Sequence, residues 1–311
     1  MAVIRTNPVV LNIPHARWEV PDAYFDRLIA PEWQWIYETL VLNDWFTDEL
    51  FDIANVHRII APVSRLLVDT ERLLPDEAEP MSRHGMGCLY THGTQGQRLW
   101  PDHSKEERQE LLDKYYHPHH RALADAIQQS LDADGKCLFV DCHSFPDKPF
   151  PHEDQDLARP DICLGTLPGN TPATLVDMLI KEFTDCGYEV AVDTPFSGCA
   201  RPERYCGDTR VLAVMIEVNR KLYIDQPIPP YSAAVKNKAN LPVRNANTAR
   251  IKQQLQNAIL RALRKFVKPV PPRSEGDNGP PEDQRQLSRF LHEMNSGDIS
   301  PAMRQWWWDR Y

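Results

Sequence analysis

Residues 136–144, KCLFVDCHS, set the reading of this chain. Residues 136–140 are a compact run with Leu, Phe and Val in succession, the composition of a buried strand. The run gives way at once to Asp141, Cys142, His143 and Ser144, so side chains capable of chemistry follow a strand. The same grammar appears upstream in PVVLNIPH: Val9 to Ile13 are mostly aliphatic, Pro14 stops the ladder, and His15 comes next. It appears again downstream, where residues 210–218 end in Glu217, Val218, Asn219 and Arg220.

Between these anchors the chain alternates. Residues 31–54 favour helix, with a polar interruption at Asn43 and Asp44 that predicts a break between two helices. SRLLVDTER (64–72) reads as a strand, 85–96 as a loop rich in Gly, His and Thr, and 104–130 as helix. Strand character returns at 159–166 and 189–192, separated by a helix over 171–187 that opens with Thr-Pro. Residues 245–267 close the pattern with a helix rich in Gln, Ala, Leu and Arg. Alternation of this kind predicts a layered α/β domain spanning 1–268. A proline-rich polar linker is expected at 269–285, followed by an aromatic segment at 286–311 that carries Trp306, Trp307 and Trp308.

Composition narrows the function. In 311 residues, 42% are hydrophobic and 25% charged, ordinary values for a folded globular chain. Forty-four acidic against 35 basic side chains give −9, the wrong sign for gripping nucleic-acid phosphates. No window approaches the roughly 20 apolar residues a membrane helix needs, and the N-terminal stretch lacks a signal-peptide pattern, so a cytoplasmic protein is expected. The seven cysteines contain no CxxC pair and are expected to be reduced. With 13 Gly against 27 Pro, and neither GxGxxG nor GxxxxGK[ST], a glycine-rich phosphate cradle is excluded.

His15, His143 and Glu217 thus stand at three strand ends, and open α/β sheets bind ligands just beyond the carboxyl ends of their strands. Two neutral imidazoles and a carboxylate form a common catalytic zinc shell with a fourth position left for water or substrate. Each residue also has an ordinary role: the histidines as hydrogen-bonded loop residues, Glu217 as the partner of Arg220. Ser144 lacks a GxSxG elbow, and Cys199 has no activating base beside it in sequence, so neither is read as a nucleophile.

Taken in order, NIPHAR, NDWFTDELF, SRLLVDTERLLPDE, GMGCLYTH, YYHPHHRAL, DCHSFP, RPDICLGT, TPFSGCARPERY and IEVNRKLYID resemble the N-formylglutamate amidohydrolase family, from about residue 10 to 263. The resemblance implies an α/β fold with a mixed central sheet flanked by helices, similar to zinc carboxypeptidases (phosphorylase/hydrolase-like). It also implies one catalytic Zn2+, with another divalent ion as the alternative, and hydrolysis of the amide between a small acyl group and an acidic amino acid.

On that likeness His15 and His143 become metal ligands and Glu217 the general base. Asp44 is preferred as third ligand because it sits at the helix break, with Asp69 and Glu71 as competing carboxylates. A doubly carboxylated substrate calls for cations. Arg72 and Arg159 come first, then Arg65, Arg201 and Arg220, with His120 as a further pocket residue and His119 beside it; helix-start packing is the ordinary role of both histidines. The expected partner is a small acidic acyl amino acid, with neither nucleic acid nor membrane, and the aromatic segment is a candidate homo-oligomer contact. The alternatives are a metallo-amidase or carboxypeptidase acting on a peptide or another acyl amino acid, and a non-catalytic module that binds an acidic metabolite.

Overall fold

The computed structural model describes residues 6–150, 153–157, 159–225 and 241–267. The expected linker (269–285) and aromatic segment (286–311) lie outside the described residues. The strands are β1 (Val9–Ile13), β2 (His57–Ile60), β3 (Cys137–Phe145), β4 (Ile162–Gly165), β5 (Val190–Val192) and β6 (Val211–Asn219). The helices are α1 (Asp22–Phe25), α2 (Glu32–Leu42), α3 (Thr47–Leu50), α4 (Lys105–Leu111), α5 (His117–Asp134), α6 (Ala173–Asp185) and α7 (Thr248–Phe266).

One sheet orders the strands β2-β1-β3-β6-β4-β5. The first four run parallel, β4 is antiparallel to β6, and β5 is parallel to β4. The sheet is therefore mixed, with helices on both faces. Among the described residues no helix is long and apolar enough to cross a membrane.

Strand alternation decides which face does chemistry. Val9, Leu11 and Ile13 of β1, Leu138, Val140 and Cys142 of β3, and Leu212, Val214, Ile216 and Val218 of β6 pack with α6 and α7 in the larger core. The opposite positions, Val10, Cys137, Phe139, Val211 and Ala213, pack with Leu123, Ile127 and Leu131 of α5. Continuing along this second face toward the C-terminal ends, the same alternation presents Asn12, Asp141, His143 and Glu217. The apolar face of α5 begins only at Leu123; nearer its start stands the buried His119.

Helix termini follow local chemistry. A capping box between Ser104 and Glu107 starts α4, a π-type turn at Leu112–Tyr116 carries it into α5, and Gly135 ends α5 at φ 71°. In α7, Ile251, Leu255, Ala258, Ile259 and Ala262 are buried at helical spacing against the sheet. Each large aliphatic side chain so buried contributes roughly 1.5–3 kcal/mol.

One local expectation fails, and one strand is not anticipated. Residues 64–72 form turns instead of a strand: Leu66, Leu67 and Val68 are buried in a separate cluster with Trp35, Tyr90 and Trp100, so their apolarity reflects packing beneath a loop. The edge strand is the preceding His57–Ile60, which is only half-buried and carries too short an apolar signal.

Candidate metal centre and active site

Asp44 reaches the site because α2 ends at Leu42. Asn43 is extended (φ −75°, ψ 138°), the Asp44 amide donates to His15 O at 2.9 Å, and Thr47 returns its amide and hydroxyl to Asp44 O. The predicted helix break thus ties Asp44 directly to His15, two residues past the end of β1. His143 lies near the end of β3 with Glu217 opposite it at the same rung of β6.

The structure brings His15, Asp44 and His143 together. Asp44 Oδ2 is 3.5 Å from His15 Nδ1 and 3.1 Å from His143 Nδ1, and the two ring centroids are 5.1 Å apart. Their ligating atoms all fall within 4.8 Å of one another, and all three residues are buried. Two further groupings share these histidines: His15, Asp69 and Glu71, and Glu71, Asp141 and His143.

Existing hydrogen bonds load the aspartates of all three groupings, and Asp44 itself meets His143 Nδ1 at Oδ2 and accepts from Arg220 Nη2 at Oδ1. Asp69 is saturated: Oδ1 accepts from His15 Nε2 at 2.8 Å and the Glu71 amide, while Oδ2 accepts from Arg65 Nε and Nη2 and from the Tyr90 hydroxyl. Asp141 is equally committed, its Oδ1 to Asn12 Nδ2 at 2.8 Å and its Oδ2 to the Ala200 amide at 2.6 Å. Of the three groupings only that of Asp44 contains both histidines, and Glu71 also lies within 3.6 Å of a nitrogen of each. Two buried ring nitrogens of the cluster are left without a hydrogen bond among the described residues, His15 Nδ1 beside Asp44 and His143 Nε2 beside Glu71 and Asp141. This N,N,O donor set suits a divalent metal ion.

The remaining nitrogens each face a carboxylate. His15 Nε2 is fixed by Asp69, and His143 Nε2 lies 3.1 Å from Asp141 Oδ1. Metal-binding imidazoles are commonly oriented by such carboxylates, which select the tautomer. Asp141 in turn joins a buried chain through Asn12 to His119 Nε2, 2.8 Å from Asn12 Oδ1. Glu71 stands across from Asp44, its oxygens 3.6 Å from His15 Nε2 and 3.4 Å from His143 Nε2, and is part exposed.

The electrostatics follow from burial and crowding. Burial alone would raise Asp44, but the hydrogen bond from His143, the neighbouring His15 and the charge of Arg220 overcome it and hold the carboxyl well below its usual range. Asp69 is likewise held low against burial by Arg65, His15 and Arg72. Burial would depress His143, yet the Glu71 and Asp141 carboxylates raise it well above an ordinary imidazole. Glu217 behaves in the opposite way to the aspartates: burial, reinforced by Asp44 and Glu71, pushes it up to about 8 despite His143 and Arg220. Its Oε2 has no hydrogen-bond partner among the described residues.

The arginines divide by what they already hold. Arg65 forks onto Asp69, and Arg72 lies 3.5 Å from Asp69 and 3.9 Å from Glu79. Arg220 donates to Val41 O, Asp44 Oδ1, and both Ser144 Oγ and O, fastening α2 to β3 beneath the site. Arg201 donates to Asn170 and Pro202 O. His120 sits against Tyr116 with Nε2 2.8 Å from Thr70 O. Arg159 keeps both Nε and Nη1 without a hydrogen-bond partner in a buried setting, whereas of the other four only Arg72, at Nε, leaves a buried donor unpaired among the described residues.

The model of the N-formylglutamate amidohydrolase family matches residues 7–224, about seven-tenths of the chain. The chain belongs to this family. As a member of the N-formylglutamate amidohydrolase family it is a hydrolase. No curated protein matches it. Among solved structures it is similar to the crystal structure of N-formylglutamate amidohydrolase from Ralstonia eutropha JMP134, with 20% identity, 85% of this chain and 95% of that chain covered, and a TM-score of 0.67. A gene product from Agrobacterium tumefaciens is similar over 85% of this chain and 93% of its own, at 18% identity and a TM-score of 0.55. These likenesses confirm the fold.

Asp141 was not singled out from sequence. Its signal was nevertheless present: it stands two residues before His143 in one strand, so the two side chains share a face. Asn12 bears the same relation to Val10 on β1, and neither its pairing with Asp141 nor the His119 contact is visible without the sheet order.

Proposed function

We propose that this member of the N-formylglutamate amidohydrolase family is a metal-dependent enzyme that hydrolyses the amide bond of an N-acyl acidic amino acid such as N-formylglutamate. The observation that carries the reading is the buried convergence of His15, Asp44 and His143 beside Glu217, whose carboxyl oxygen is unpartnered. The likeness to the Ralstonia eutropha enzyme supports the choice of substrate.

In this reading His15, His143 and Asp44 would hold one Zn2+ or a similar divalent ion. Such an ion, when bound, supplies Lewis acidity and lowers the pKa of water to about 7. Asp69 and Asp141 keep the imidazoles in the tautomer that turns Nδ1 toward Asp44, and Arg220 keeps Asp44 from rotating away. Glu217 takes the proton of the attacking water at its free oxygen and delivers it to the departing amine nitrogen. A carboxyl held up near neutrality by burial is matched to that exchange, being a better proton acceptor than an exposed glutamate. Water adds across the C–N bond, so an N-formyl substrate yields formate and the free amino acid.

Formate release from N-formylglutamate by the zinc-loaded protein tests the reading. Glu217→Gln is expected to retain the fold and lower kcat by about 10²–10⁴-fold. Near-wild-type turnover in that variant contradicts the assigned role, and no turnover of any N-acyl amino acid by the wild type contradicts the reaction.

A further inference from the structure

Arg159 stands immediately before Pro160, whose carbonyl is held by Asn219 Nδ2 at the end of β6. Its side chain is only 6% exposed. The guanidinium carbon lies 5.7 Å from the ring centroid of Phe145 and 5.3 Å from that of Phe196, and these rings are 5.4 Å from each other. A single partner is provided: Nη2 donates to Glu153 Oε2. Nε and Nη1 have no hydrogen-bond partner among the described residues. Because Nη1 carries two hydrogens, three N–H donors are left unused in a buried setting, where an unmade hydrogen bond to a charged group is costly.

The position relates this cation to the site. Phe145 follows His143 by two residues on the same strand face, a separation of about 6.6 Å along β3. Phe196 belongs to the loop that reaches Asp141 through the Ala200 amide. A fixed, half-neutralised guanidinium therefore packs on the ring that lies two residues beyond His143 on the face of β3 that carries the site. Flat, stacked and rigid, it suits planar pairing with a carboxylate better than a lysine would. Arg65, Arg72 and Arg220 also face acids that the fold supplies, as Arg159 faces Glu153, but each leaves fewer buried N–H donors unpaired than the three of Arg159.

We infer that Arg159, held against Phe145 and Phe196, is the receptor for a carboxylate on the amino-acid half of the substrate and sets the preference for acidic substrates. The inference rests on the amidohydrolase reading above, and it makes Arg159 a specificity residue with no part in bond cleavage.

The test compares wild type, Arg159→Met and Arg159→Lys on three substrates: N-formylglutamate, N-formylglutamine, which lacks the side-chain carboxylate, and N-formylisoglutamine, which lacks the α-carboxylate. L-glutamate affinity is measured in parallel by calorimetry, and melting curves establish that each variant is folded. Wild type is expected to prefer N-formylglutamate over one of the amides by about 100-fold in kcat/KM. Arg159→Met should reduce that ratio to within about 10-fold, mainly through KM, and should weaken L-glutamate binding by a similar factor; Arg159→Lys should fall between. The amide whose disadvantage disappears identifies the carboxylate read. Folded variants that keep both ratios and wild-type glutamate affinity overturn the inference, even if all three substrates are cleaved. If no N-formyl substrate is cleaved while glutamate binding still depends on Arg159, the reaction reading fails and the receptor stands.

Discussion

His15 Nε2 lies 2.8 Å from Asp69 Oδ1, a contact between residues 54 apart in sequence and both fully buried. Asp69 thereby joins the histidine after β1 to Arg65, Arg72 and Tyr90, and one carboxylate serves both the imidazole and the loop over 64–72.

Replacing Asp69 with Asn leaves the Arg65 guanidinium opposite a neutral group and His15 without its anionic partner. We expect metal affinity to fall by about 10–100-fold. Stability should fall by about 3–5 kcal/mol, since one half of a buried charge pair is removed. Zinc competition assays and urea unfolding check the two effects separately.

Arg220 and Asp44 form the second buried clip, at 2.9 Å. Arg220→Met should cost about 3–5 kcal/mol, whereas Ser144→Ala, which removes one of several acceptors, should cost only about 1 kcal/mol. A double-mutant cycle with Asp44→Asn should show non-additivity, read by urea denaturation.

His119 gives a pH prediction. Burial, with smaller contributions from His120 and His15, lowers it to about 3, below the ordinary 6.5. The unfolded chain therefore binds a proton that the native state refuses. Native stability is complete above about pH 6.5 and declines by roughly 1.4 kcal/mol per pH unit as pH falls toward 3. His119→Gln removes this contribution, so its loss of stability between pH 7 and pH 5 should be smaller than wild type by about 2 kcal/mol. Melting curves across that range decide it.

Glu217 carries the opposite sign. With its carboxyl raised to about 8, the metal-stripped native state keeps a proton that the unfolded chain releases above pH 4.5. Stability is fully present below about pH 4.5 and is lost as pH rises through about 8. Glu217→Gln does not titrate, so at pH 7 the metal-stripped variant should be the more stable by about 3 kcal/mol while turning over far less substrate. Calorimetric melting of the two stripped proteins is the check.

Much of this arrangement was legible in sequence where apolar runs are long and buried on both faces. β1, β3 and β6 announce themselves because Val9–Ile13, Cys137–Phe145 and Val211–Asn219 lie in the centre of the sheet, and the polar break at Asn43 and Asp44 marks a true helix end. Short pieces carried less signal. His57–Ile60 is a half-buried edge strand, and LLV at 66–68 is apolar because a loop covers it. The reversed direction of β4 against β6 is a property of pairing that no single segment encodes. At the site, the acid that meets His15 comes from 54 residues away, whereas Asp141 stands two residues before His143, and Arg159 is distinguished from four other arginines only by how many of its N–H groups lack partners.

The central claim is tested most directly by titrating zinc into the metal-stripped protein by calorimetry, for wild type, His15→Ala and His143→Ala. The account predicts one ion per chain in the wild type and affinity at least about 100-fold weaker in both variants, each lacking one of three protein ligands. A wild-type protein that binds no ion, or folded variants that bind it as tightly as wild type, would contradict a metal centre built on these two histidines.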